Sequence, residues 1–241
     1  MALETLEQFK KRVYGFEYHS LYMDQDGRFY TNSSLNDKVD EVGKFKSYIG
    51  NTIVFTLDSD DAKTENVRKR LTGMQDKLYA GCGHMLAERL NEDTYHMTLH
   101  DLVNGRPGGV EEEKLEHIGR QAKEFTEERC KESWIIRLKT TCVFNMVNSS
   151  VVLGLEPVCE SDCQRLMELY RRLDEICYLG YPLTPHITLA YYKPGVYHEA
   201  DIKKLQDSFN ILAKEELMVE FTPQNIAYQE FLDMNHYYRR K

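Results

Sequence analysis

The 241-residue sequence predicts an α+β protein of two similar, pseudo-symmetric lobes, with antiparallel strands from both forming a central groove and helices outside. Three observations predict it. Strand-like and helix-like segments recur in similar order in the two halves. Each half carries one strand reading His, apolar, Thr, apolar. The length sits at or above that of one usual domain yet is short for two independent cores.

Taken in order, residues 1–49 mix a short helical start with turn-rich stretches at 24–27 and 31–36 and read as an N-terminal arm packed on a main body, residues 50–241. The first lobe is expected over about 50–132 and the second over about 133–241. Residues 51–57 alternate Ile53, Phe55 and Leu57 with Thr52, Val54 and Thr56, as a half-buried strand does. The Asp-rich run 58–61 is expected to cap the next helix. That helix carries Val67, Leu71, Met74 and Leu78 at spacings of three and four, and Gly81 and Gly83 are expected to stop it. Strands follow near 84–90 and 95–103, then a charged helix over 110–131 with a sparse stripe of Leu115, Ile118 and Phe125. The second set opens with strands at 134–144 and 151–157 and a helix over 161–178 bearing Leu166, Leu169, Leu173 and Ile176. After Pro182 and Pro185 come a strand at 186–192, a helix near 199–213 and a final strand pair near 217–232.

Composition narrows the function. Hydrophobic residues are 41% and charged residues 29%, which excludes a disordered, collagen-like or coiled-coil chain. With 31 Lys and Arg against 39 Asp and Glu, the net charge of −8 repels long nucleic acid, so a nucleotide or a short RNA end held locally is the nucleic-acid substrate to expect. The six cysteines lack CxxC pairing and read as reduced thiols of a cytoplasmic protein. The first 20 residues lack the apolar run of a signal peptide, and the apolar runs elsewhere are far below the roughly 20 residues that span a bilayer. A monomer without a cofactor is expected.

The informative residues are His96-Met97-Thr98-Leu99 and His186-Ile187-Thr188-Leu189. Chance supplies roughly 0.13 such matches in a chain of this composition, so two are not accidental. Residues i and i+2 of a strand share a face, so each motif sets an imidazole beside a hydroxyl and sends the apolar neighbours into the core. Two imidazoles across a groove suit in-line displacement at phosphorus: one takes a proton from water or a ribose hydroxyl, the other gives one to the leaving oxygen. The two threonine hydroxyls suit the non-bridging phosphate oxygens.

Paired His-apolar-Thr-apolar motifs roughly 90 residues apart, in a chain with a duplicated strand and helix pattern, resemble the two-histidine (2H) phosphoesterase superfamily. That group includes RNA 2′,3′-cyclic phosphodiesterases, once called 2′-5′ RNA ligases. Gly50-Asn51-Thr52-Ile53-Val54 ahead of Tyr95-His96-Met97-Thr98 is similar to a less characterised bacterial and fungal branch. The resemblance runs from about Gly50 to Leu232. It implies a bilobal α+β phosphoesterase fold and a phosphoric diester hydrolase, with His96 and His186 as the acid and base pair and Thr98 and Thr188 as the phosphate holders. Two alternatives keep the groove: a nucleotide-binding module without chemistry, and a phosphodiesterase of RNA 3′ ends or cyclic oligonucleotides.

Strand parity adds His100 on the His96 face and Tyr192 on the His186 face, both as candidates for contacting a ribose or base. Arg137 and Lys139 alternate with Ile136 and Leu138 and are candidates for supplying positive charge near the phosphate, against a plainer reading as solvated strand-edge charges. No metal is expected, since His96 and His100 have no further ligand at metal spacing and HExxH is missing. Residues 106–109 read as a loop at the groove rim.

Overall fold

A computed structural model describes residues 3–18, 23–57 and 62–239. The run 58–61, expected to cap a helix, lies outside the described residues. In chain order the elements are α1 (Leu6–Tyr18), β1 (Phe29–Tyr30), β2 (Ile49–Thr56), α2 (Ala62–Cys82), β3 (His96–Gly105), α3 (Glu112–Arg129), β4 (Ile136–Met146) and β5 (Ser150–Pro157). They continue with α4 (Glu160–Asp174), β6 (His186–Tyr191), β7 (Val196–Tyr197), α5 (Glu199–Leu212), β8 (Met218–Phe221), β9 (Ile226–Asp233) and β10 (His236–Tyr238).

The fold is α+β, and its centre is an antiparallel sheet in the order β10-β9-β2-β3-β6-β5-β4-β8. It divides into two four-stranded halves, because β3 and β6 share a single registered pair, Met97 with Ile187. Both histidine strands therefore lie at the seam. Met97, Leu99, Ile187 and Leu189 are fully buried, so each side chain contributes about 1.5–3 kcal/mol to holding its strand down. The chain does not fill the halves consecutively: β9 from the carboxyl-terminal region pairs with β2 over Gly50–Phe55. Helix α3 lies on β9, β3 and β2, while α2 and α5 pack on each other and on β6 and β4 respectively.

Three local expectations change. Residues 84–90 form a 3-10 turn at Gly83–Met85 and one bridge, Leu86 to Tyr192, rather than a strand. Leu86 and Ala87 are both buried in succession, which a period-two strand facing water on one side does not permit. Strand β2 is buried on both faces: Asn51 Nδ2 donates to the Leu115 carbonyl and to Tyr228 Oη, and Thr52 Oγ1 donates to the His100 carbonyl. Gly81 does not stop α2 but lies inside it, where a Cβ would collide with Ser208 Oγ of α5, so it is a helix-crossing contact.

The N-terminal arm is anchored at several points. Thr5 and Gln8 form a capping box at the start of α1, whose Phe9 and Val13 are buried. Farther along, β1 pairs with β7, Asn32 and Asn148 exchange bonds with the carbonyls of Val147 and Tyr30, and Asp37 pairs with Arg106. The 106–109 loop is thus tied to the arm at its first residue.

Candidate active site

A groove of about 850 Å³ opens over the seam, and His96, Thr98, His186 and Thr188 all line it. The two strands present them with the same burial rhythm, the His and Thr half-buried and the residues between them buried. Each imidazole is fixed the same way. His96 Nδ1 lies 2.7 Å from the Thr94 carbonyl oxygen and His186 Nδ1 lies 2.7 Å from the Thr184 carbonyl oxygen. A carbonyl only accepts, so in each ring Nδ1 carries the hydrogen and Nε2 carries the lone pair. Neither Nε2 has a partner among the described residues.

Burial pushes His96 down from 6.5 to about 4; the bond to the Thr94 carbonyl opposes this, the neighbouring His186 adds to it, and the Asp101 carboxylate opposes it weakly. His186 is also pushed down by burial, against the Thr184 carbonyl and Asp101. Burial therefore favours the neutral form of both rings, and an entering anion favours protonation of either one. The Tyr237 ring stands 5.0 Å from the His96 ring, centroid to centroid. Arg12 of α1, held by Glu4, donates to Thr184 Oγ1 at 3.1 Å and so braces the turn that orients His186.

His100 does not join the site. Ile53 pairs with His100 and Val54 with Thr98, so Leu99 is an extra residue and β3 is bulged there. Beyond the bulge the alternation is out of phase. His100 is fully buried, with Nδ1 2.6 Å from the Asp101 carbonyl and Nε2 3.1 Å from Asp174 Oδ1, and Asp101 reaches the groove instead. The second strand repeats the device: Val151 pairs with Ala190 and Val152 with Thr188, making Leu189 the extra residue. Tyr192 is consequently buried against Phe29, ring centroids 5.1 Å apart, and Tyr191 lines the groove. Arg137 and Lys139 do not line the groove either. They are half-exposed and pair with Asp162 and Glu156, at 3.6 and 3.1 Å.

The groove gains residues that motif and parity reasoning missed. Asp101 and Tyr191 enter through the bulges, Tyr237 arrives on β10, and the arm supplies Lys38 and Tyr48. Lys38 Nζ lies 4.9 Å from the Tyr48 ring centroid and 5.8 Å from that of Tyr191. Nothing local in the sequence marks Lys38, since only the fold carries residue 38 to the groove. Among the described residues no cluster of three His, Cys, Asp or Glu side chains is placed to hold a metal ion, and no helix is long and apolar enough to cross a membrane.

Fold and groove together define a class of structure: an α+β protein whose two half-sheets meet at a pair of His-x-Thr strands. No family model and no curated protein matches the chain. Among solved structures it is similar to the conserved protein of unknown function ATU0111 from Agrobacterium tumefaciens strain C58, with a TM-score of 0.62 and 16% identity over 87% of this chain and 92% of that one. That likeness is one of fold. TT0787 of Thermus thermophilus gives a TM-score of 0.44 and 18% identity, over 79% of this chain and 94% of that one. LigT of E. coli in its apo form gives 0.43 and 15%, over 81% and 96%.

Proposed function

We propose that this chain is a phosphoric diester hydrolase of the 2H phosphoesterase type, acting on a 2′,3′-cyclic phosphate or another 2′-linked nucleotide phosphodiester. The observation that carries the reading is the matched pair of imidazoles on adjoining strands, each with its Nδ1 hydrogen committed to a carbonyl and its Nε2 left for a ligand. In the proposed reaction one Nε2 accepts a proton from water as the oxygen bonds to phosphorus. The other imidazole, protonated once the anionic diester is bound, gives its proton to the ribose oxygen as the P–O bond breaks. Thr98 and Thr188, whose hydroxyls have no partner among the described residues, hold the non-bridging oxygens as charge builds on them. These side chains supply every proton transfer, so the reaction is proposed to need no metal.

The test is hydrolysis of a nucleoside 2′,3′-cyclic phosphate in excess EDTA by wild type, His96→Ala and His186→Ala. The expected result is EDTA-resistant turnover that falls by about 10²–10⁴ in either variant. Loss of activity on chelation, or full activity in either variant, would overturn the mechanism.

A further inference from the structure

Two charged residues of the groove remain without a role in that chemistry. Lys38 and Asp101 both line the groove, and neither side chain has a hydrogen bond or an ion pair among the described residues. The other cationic side chain of the lining, Arg12, is already taken by Glu4. Lys38 is also sheltered: burial pulls its ammonium below the usual lysine range, with Asp101 and Asp37 opposing. An ammonium partly buried on aromatic rings, with no carboxylate in contact, carries a desolvation cost that a bound anion would offset.

Lys38 reaches the groove from the arm, outside both histidine strands, and is not needed to hold the reacting phosphate. That phosphate already has two imidazoles and two hydroxyls. Lys38 sits over Tyr191, which stands three residues past Thr188 and beyond the bulge at Leu189. A cavity of about 850 Å³ lies toward the large end of the roughly 300–1,000 Å³ range of small-ligand sites, so it has room beyond a single cyclic mononucleotide. Asp101 sets the opposite limit. Its carboxylate acts on Lys38, His96 and His186 alike, so the groove is not a basic track for a polyanion.

We propose that Lys38 is a specificity-determining residue that binds a second, non-reacting phosphate, so that the preferred substrate is a nucleotide carrying one phosphate besides the one attacked. This rests on the phosphodiesterase reading above for which phosphate reacts. The second phosphate has two sources, the 5′-phosphate of a mononucleotide or the internal phosphodiester of a dinucleotide, and both present the same anionic oxygens to an ammonium.

Binding tests the proposal without turnover. Calorimetry would compare a nucleoside 3′-monophosphate, a nucleoside 3′,5′-bisphosphate and a dinucleotide ending in a 3′-phosphate, on wild type, Lys38→Met and Lys38→Arg. Lys38→Met keeps an apolar stem on the tyrosine rings and removes the charge; Lys38→Arg keeps the charge. Wild type is expected to bind at least one doubly phosphorylated ligand roughly tenfold more tightly than the monophosphate, with the gain lost in Lys38→Met and mostly restored in Lys38→Arg. Which ligand shows the gain identifies the source. Equal affinity for all three in wild type, no binding at all, or a gain that survives Lys38→Met would overturn the proposal. Should wild type turn over no cyclic phosphate while the Lys38-dependent gain persists, the hydrolase reading falls and the second-phosphate site stands.

Discussion

Asp101 and Tyr191 occupy matching places in the two halves of the groove: each stands five residues past its strand's histidine, and each faces the groove because one extra residue bulges the strand before it. The bulges follow Thr98 and Thr188 directly, so the His-x-Thr motifs keep regular alternation and the positions beyond them are re-aimed. One half receives a carboxylate there and the other a phenol. The pseudo-symmetry that makes the histidines equivalent therefore ends within five residues of them.

The bulge separates two histidines four residues apart. His100→Asn removes a buried ring that bridges the Asp101 carbonyl and Asp174, and is expected to cost about 1–3 kcal/mol of stability in chemical denaturation. On the proposed function, the folded fraction should keep the wild-type pH profile for cyclic-phosphate hydrolysis, whereas His96→Ala is expected to lower that turnover by about 10²–10⁴. A His100 variant with wild-type stability and lost turnover would contradict the assignment.

The neighbouring tyrosines give the same contrast in the other half. Tyr192 Oη is buried without a hydrogen-bond partner among the described residues, so Tyr192→Phe should change stability by no more than about 0.5 kcal/mol and leave nucleotide binding alone. Tyr191→Ala removes a groove wall and the ring beneath Lys38, and should weaken nucleotide binding by roughly tenfold in the same titration.

The half-buried His96 makes stability depend on pH with a definite sign. Above pH 6.5 His96 is neutral in both the folded and the unfolded chain and contributes nothing. As the pH falls through 6.5 the unfolded chain takes up a proton that the folded chain refuses until about pH 4, so stability falls across that window. The loss due to His96 alone is on the order of 3 kcal/mol at its fullest. Urea denaturation of wild type and His96→Gln between pH 7.5 and 4 checks this: the variant should show the smaller decline. A bound phosphate should reverse part of the slope by favouring the protonated ring.

The contact of α2 with α5 is testable as a cycle. Gly81→Ala places a methyl against Ser208 Oγ, which must turn away and give up its bond to the Lys204 carbonyl, and is expected to cost no more than about 1 kcal/mol; Ser208→Ala in the same chain should recover most of it, because the colliding atom is gone. Additive losses in the double variant would rule out the collision as the cause.

The two histidine strands were legible because their signal is local: a period of two, an apolar neighbour and a repeated hydroxyl. His96, Thr98, His186 and Thr188 all reach one groove for that reason. The parity rule then failed at His100 and Tyr192, for one shared reason. A bulge is a property of the pairing between strands, visible only when Leu99 and Leu189 are seen to lack partners on β2 and β5. Arg137 and Lys139 do alternate with buried residues, yet alternation cannot say that Asp162 and Glu156 stand opposite them.

By itself, then, the sequence determined the α+β class, the two half-sheets' worth of strands and the four polar residues of the motifs, since all of these follow from hydrophobic period and residue type within a few positions. Tertiary structure alone decided what surrounds those four. Long-range pairing returned β9 to the side of β2, strand bulges exchanged His100 for Asp101 and Tyr192 for Tyr191, and the arm's attachment to both halves brought Lys38 over the groove. Such contacts join residues tens to hundreds of positions apart, and their energies depend on which surfaces meet, a quantity no local period encodes.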